Sequence, residues 1–109
     1  MSTLADVATS LGRDLVGEVK TSIGEDYNSL TTEQTDSIQE TAILYYELQL
    51  RAKAGEDVAD KLQAVASTVQ DWKVWGELGV EDAFWKGVQK VASIFGTFLG
   101  AAAKTIIPL

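Results

Sequence analysis

Apolar residues recur every three or four positions along most of this chain, which is the spacing of α-helices with one buried face. In the first segment, residues 3–23, the recurrent apolar positions are Leu4, Val7, Leu11, Leu15, Val19 and Ile23. Lys20 in the last turn and Gly24 after it are typical of a helix C-terminus. Gly12 and Gly17 each weaken a helix by roughly 1 kcal/mol relative to Ala. We therefore expect a first helix that depends on packing.

A second helix is predicted from a capping motif at its start. Thr31 is followed three positions later by Gln34, which is the spacing of a capping box. In a capping box the N-cap hydroxyl accepts a hydrogen bond from the backbone N–H three residues later, and the side chain of that residue accepts one from the N-cap backbone N–H. The helix is expected to end near Ala54. Its centre, residues 42–50, is apolar on nearly every side, which indicates neighbours on two or more faces.

The third helix, predicted over residues 57–75, has the clearest apolar stripe. Its members are Val58, Leu62, Val65, Val69 and Trp72. The short connection before it predicts an antiparallel hairpin over residues 31–75. Residues 76–80, GELGV, interrupt the pattern, and the next two residues, both acidic, open a fourth helix. We expect Trp75 and Trp85, which flank the interruption, to hold the fourth helix against the third.

The fourth segment separates into an apolar and a polar arc when it is placed on a helix of 100° per residue. The apolar arc covers roughly 200° of the circumference and contains Phe84, Trp85, Val88, Val91, Ile94, Phe95, Phe98 and Leu99. The polar arc carries Lys86, Lys90 and Lys104, and Gly87 is the main exception to the separation. Only thirteen residues separate Lys90 from Lys104, whereas a membrane span needs about 20. The segment is therefore amphipathic.

Two interpretations of this apolar arc remain open. It packs on the other three helices or on the same segment of a second copy, or it lies in a membrane interface with its lysines towards the headgroups. The arc is wide for a chain of 109 residues, so we expect part of it to be buried between molecules.

Charge divides the chain at the same place. All 16 acidic residues lie at or before Asp82, which gives residues 1–82 a side-chain charge of −10 and residues 83–109 a charge of +3. An acidic body repels phosphate backbones, so we expect no nucleic-acid partner. The chain has no Cys and no His, and no nucleotide-binding motif. These absences disfavour an enzyme, a cofactor and a metal site.

The second half of the chain resembles small helical proteins encoded in tailed-phage genomes. The similarity rests on LRAKAGEDVADKLQAV, residues 50–65, followed by QDWKVWG and the apolar segment SIFGTFLGAAA. The resemblance implies a virion component at the tail or portal region, or a factor that acts at the host membrane. It assigns no role to any residue.

We therefore predict an all-α fold in which an N-terminal helix packs on a helical hairpin to form a small bundle, with a C-terminal amphipathic helix. The first helix is expected to use Leu4, Leu11, Leu15 and Val19. The predicted function is that of a structural protein, virion-associated or cytoplasmic, which forms homo-oligomers or docks on a larger assembly. The alternative is a membrane-active protein, peripheral to a bilayer.

Overall fold

Helices form nearly all of the part of the chain that the structure describes. A computed structural model describes residues 4–75 and 79–94. The α-helices are α1, Leu4–Ile23; α2, Thr32–Lys53; α3, Ala59–Asp71; and α4, Val80–Ile94. Two 3₁₀ helices, Gly24–Ser29 and Trp72–Trp75, precede α2 and follow α3. No strand occurs within these described ranges. The predicted all-α class is confirmed.

The helix ends follow the local sequence. Gly24 adopts a φ of 72°, the left-handed conformation that terminates many helices. The predicted capping box is present, because the backbone N–H of Gln34 donates to Thr31 Oγ1 at 3.1 Å and that of Thr31 donates to Gln34 Oε1 at 2.8 Å. The GEDYNS segment, expected to be a loop, forms the first 3₁₀ helix. The third helix begins at Ala59, and its last turn tightens into the second 3₁₀ helix.

Helix α1 lies at the centre of the packing. Its most extensive interface is with α2, and its next is with α4. Leu11, Leu15 and Val19 are buried as predicted, whereas the side chain of Leu4 lies outside the described residues. Gly12 of α1 lies directly against Ile43 of α2, so that there is no room for a side chain at position 12.

Helix α2 has neighbours on more than one side, as its apolar centre indicates. Its interface with α1 is much more extensive than its interface with α3. The members of the α3 stripe, Val58, Leu62, Val65, Val69 and Trp72, are all buried. Within one core cluster these side chains meet the buried residues of α1 and α2.

Helix α4 belongs to the same core. It packs on α1, and the apolar side chains that it contributes to the core are those of Val80, Ala83, Phe84, Val88 and Val91. The division between residues 82 and 83 drawn from charge falls inside the first turn of α4, which runs unbroken from Val80. The described part of the chain is therefore a four-helix arrangement in which α4 shares the core. None of the described helices combines the length and apolar character needed to cross a membrane.

Candidate interaction surface

The first half of the predicted apolar arc lies inside the chain's own core. Phe84 is fully buried, and Val88 and Val91 are each 1 % exposed. Trp85 is half-buried and packs against the edge of the core cluster. The rest of the arc lies outside the described residues: the side chain of Ile94, and Phe95, Phe98 and Leu99.

Helix α4 meets α1 where Gly87 presents no side chain. A Cβ placed on Gly87 would lie 2.6 Å from Leu15 Cδ1 and 3.3 Å from Glu18 Cβ. Gly87 is buried, and at 100° per residue it lies inside the apolar arc, between Val91 and Ile94. Its position explains the exception in the sequence pattern, because a small residue is needed where the two helices are in contact.

An aromatic cluster joins the end of α3 to the start of α4. Trp72 and Trp75 stack with centroids 5.4 Å apart and planes at 17°. The Trp72 ring meets Phe84 edge to face at 5.3 Å, and Phe84 meets Trp85 in the same way at 5.1 Å. Such pairs add about 0.5–1.5 kcal/mol each beyond the area they bury. The two tryptophans predicted to flank the junction therefore reach each other through Trp72 and Phe84.

Tyr45 of α2 is the member of this cluster that sequence reasoning missed. Its ring makes edge contacts with Tyr46 at 5.2 Å, with Trp85 at 5.9 Å and with Phe84 at 6.2 Å. The apolar centre of α2 indicates in the sequence that this helix has neighbours on several faces. That pattern does not identify α4 as the neighbour of Tyr45.

The cations of α4 pair with carboxylates of the same chain. Lys90 Nζ lies 3.1 Å from Glu18 Oε2 of α1, and Lys86 Nζ lies 3.4 Å from Asp82 Oδ2 one turn earlier. Both lysine side chains remain mostly exposed, so each pair contributes no more than about 1 kcal/mol. Lys104 lies outside the described residues.

The buried polar groups of α2 form a small cluster inside the core. Gln49 Nε2 donates to the Tyr45 hydroxyl at 2.7 Å. Burial raises the pKa of the Tyr45 phenol well above its ordinary value, against the lowering effect of that hydrogen bond. Burial also raises the pKa of Tyr46, and the neighbouring Tyr45 and the charge of Asp14 raise it further. Both phenols are therefore neutral at physiological pH.

The described surface also contains a polar groove between α2 and α3. It is lined by carboxylates and hydroxyls, among them Glu33, Asp36 and Glu40 of α2 and Thr68 of α3. Within residues 4–75 and 79–94, no group of three or more acidic residues is placed to hold a metal ion.

Exposed large apolar side chains are sparse on the described surface. Those recorded there are Leu44, 45 % exposed on α2, and Val74, 84 % exposed in the second 3₁₀ helix. Isolated apolar residues of this kind are ordinary on protein surfaces. Most large apolar side chains of the described residues are thus buried in the chain's own core.

The comparisons with known proteins place no further constraint on this site. The chain matches no protein-family model, no curated protein and no solved structure.

Proposed function

We propose that this chain is a non-enzymatic structural protein that associates with copies of itself through the apolar residues that follow α4. The observation that carries the proposal is the spacing of the buried face of α4. Phe84, Val88 and Val91 are separated by four and three residues, and all three are buried. The sequence continues with the same alternation of four and three at Phe95 and Phe98. This is the spacing of a helix–helix seam.

The described surface has few large exposed apolar side chains against which Phe95 and Phe98 could pack. This favours a second copy of the chain as the partner that covers them. Full burial of a Phe side chain contributes about 1.5–3 kcal/mol, so Phe95 and Phe98 of one copy would contribute about 3–6 kcal/mol. Association costs an estimated 4–15 kcal/mol. Two copies that each bury both rings would contribute about 6–12 kcal/mol, which is comparable with this cost and exceeds its lower values.

The alternative, a membrane-active helix, receives less support from the same geometry. A helix that lies in a membrane interface presents its apolar face to lipid, but Phe84, Val88 and Val91 face the protein core. The cations that would meet anionic headgroups are paired with Asp82 and Glu18. Membrane binding through α4 would require the loss of both sets of contacts.

The phage resemblance gives the proposal its specific form. In a tailed phage, a small helical subunit that self-associates would belong to the tail or portal region of the virion. Mass spectrometry of purified particles from a phage that encodes this chain would test the location. Detection at a stoichiometric copy number is expected, and absence from the particle would contradict a virion role.

Sedimentation velocity over a wide concentration range tests the self-association directly. The wild-type chain should sediment as an oligomer, and Phe95→Ser with Phe98→Ser should shift it to the monomer. Gln89→Ser is the matched control, because Gln89 is exposed on the polar side of α4, and it should sediment as the wild type does. A wild-type chain that remains monomeric at all concentrations would refute the proposal.

Co-sedimentation with vesicles containing phosphatidylglycerol separates the membrane alternative. We expect the wild-type chain to remain in the supernatant. Binding that is weakened by 0.5 M salt and by Lys86→Gln with Lys90→Gln would instead favour the membrane-active function, since surface electrostatics are screened by salt.

A further inference from the structure

Two buried polar atoms of α2 have no hydrogen-bond partner among the residues that the structure describes. They are the hydroxyl oxygen of Tyr46 and the side-chain carbonyl oxygen Oε1 of Gln49. Tyr46 is fully buried and Gln49 is 1 % exposed. The two residues are three positions apart, so their side chains leave α2 on neighbouring parts of the same face.

Rearrangement of the protein groups alone does not satisfy both atoms. The Gln49 amide already uses its nitrogen to donate to Tyr45 at 2.7 Å. Rotating the amide by half a turn would let Tyr45 donate to Oε1, but it would leave the buried NH₂ group without an acceptor. Tyr46 would keep an unpartnered hydroxyl in either arrangement.

A buried water molecule has the bonding capacity that these atoms require. Water donates two hydrogen bonds and accepts two, and internal waters typically make about three bonds to polar groups that are otherwise unsatisfied. It could accept a hydrogen bond from the Tyr46 hydroxyl and donate one to Gln49 Oε1.

We propose that the Tyr46 hydroxyl and Gln49 Oε1 bind a structural water molecule inside the bundle. With Tyr45, this water completes a hydrogen-bonded network along one face of α2. The network fixes the orientation of the Tyr45, Tyr46 and Gln49 side chains within the core, because apolar packing alone does not specify the positions of their polar groups. The assignment is independent of the function proposed above.

The sign of the stability change in Tyr46→Phe distinguishes a water-bound hydroxyl from an unpartnered one. Loss of a hydroxyl that bridges through water should raise the unfolding constant roughly tenfold and lower the Tm. Loss of an unpartnered buried hydroxyl should leave the unfolding constant unchanged or lower it. Tyr27→Phe is the control, because the Tyr27 hydroxyl is not among the unpartnered buried atoms, and we expect its unfolding constant to stay close to the wild-type value.

NMR measurement of water–protein Overhauser effects provides the second readout. A long-lived water should give cross-peaks to the Tyr46 hydroxyl proton and the Gln49 side-chain amide in the wild type, and the Gln49 cross-peak should be lost in Tyr46→Phe. An unchanged or more stable Tyr46→Phe variant would overturn the proposal. A destabilised variant without a water cross-peak in the wild type would overturn it as well, since a direct protein contact would then explain the loss.

Discussion

Gly12 of α1 lies directly against the backbone of Ile43 of α2. A Cβ at position 12 would come within 2.6 Å of Ile43 Cγ1 and within 2.9 Å of both Ile43 N and Ile43 Cα. The side-chain atom could move, but the backbone atoms could move only if the two helices separated. This pair therefore sets how closely α1 and α2 pack.

Gly12→Ala should destabilise the protein even though Ala is the better helix former. Overpacking of this kind costs about 1–3 kcal/mol, which exceeds the roughly 1 kcal/mol gained in helix propensity. Gly17→Ala is the control on the same helix, because nothing lies within 4 Å of a Cβ at that position. Urea unfolding should show Gly17→Ala more stable than the wild type. Equal stabilisation by both changes would mean that α1 and α2 do not pack as described.

Val88→Ala tests whether α4 is part of the cooperative core. Val88 is 1 % exposed, so removal of two methyl groups should lower the free energy of unfolding by about 2 kcal/mol. Gln89→Ala, at the exposed neighbouring position, should change it by less than about 0.5 kcal/mol. If Val88→Ala leaves the main unfolding transition unchanged and α4 unfolds in a separate transition at lower urea concentration, α4 is not part of the cooperative core.

The ion pair between Lys90 and Glu18 should contribute little. A double-mutant cycle with Lys90→Gln and Glu18→Gln is expected to give a coupling of about 0.2–1 kcal/mol. The coupling should shrink in 1 M salt, because Lys90 is 64 % exposed and its charge is screened. A coupling well above this range would show that the pair, and not the apolar contact, positions α4.

Stability should fall as the pH rises above about 10. Burial raises the pKa of Tyr27, Tyr45 and Tyr46 in the folded state, whereas tyrosines of the unfolded chain ionise near pH 10. Above that pH the unfolded state binds fewer protons than the folded state, so the free energy of unfolding decreases with pH. Each fully buried phenol contributes a slope of about 1.4 kcal/mol per pH unit.

Comparison of the wild type with Tyr45→Phe isolates this effect from other groups that titrate in the same range. Urea unfolding between pH 9 and pH 12 should show a shallower loss of stability in the variant. Identical slopes would indicate that the Tyr45 phenol ionises in the folded state as readily as in the unfolded one.

Local patterns in the sequence were sufficient to predict most of the helices. The stripe of α3 and the capping box of Thr31 and Gln34 depend on residues within one or two helical turns, so periodicity and side-chain chemistry specify them. The 3₁₀ geometry at Gly24–Ser29 was missed. Its polar composition is typical of a loop and does not distinguish one kind of turn from another.

Contacts between helices were harder to predict. The wide apolar arc of α4 was expected to face another molecule in part, and periodicity cannot decide which surface covers a given turn. Phe84 and Val88 are covered by the chain itself. Gly12 and Gly87 were interpreted as weak points or exceptions, because their role appears only when the partner residues Ile43 and Leu15 are known.

Photo-cross-linking at position 98 tests most directly whether the residues beyond α4 are buried between molecules. The change Phe98→p-benzoylphenylalanine, made in the full chain and irradiated in dilute solution, should produce a species of twice the 11.8 kDa chain mass. The same probe at Gln89, on the exposed side of α4, should leave the chain at monomer mass. Cross-links at position 98 that join only residues of one chain would contradict the account.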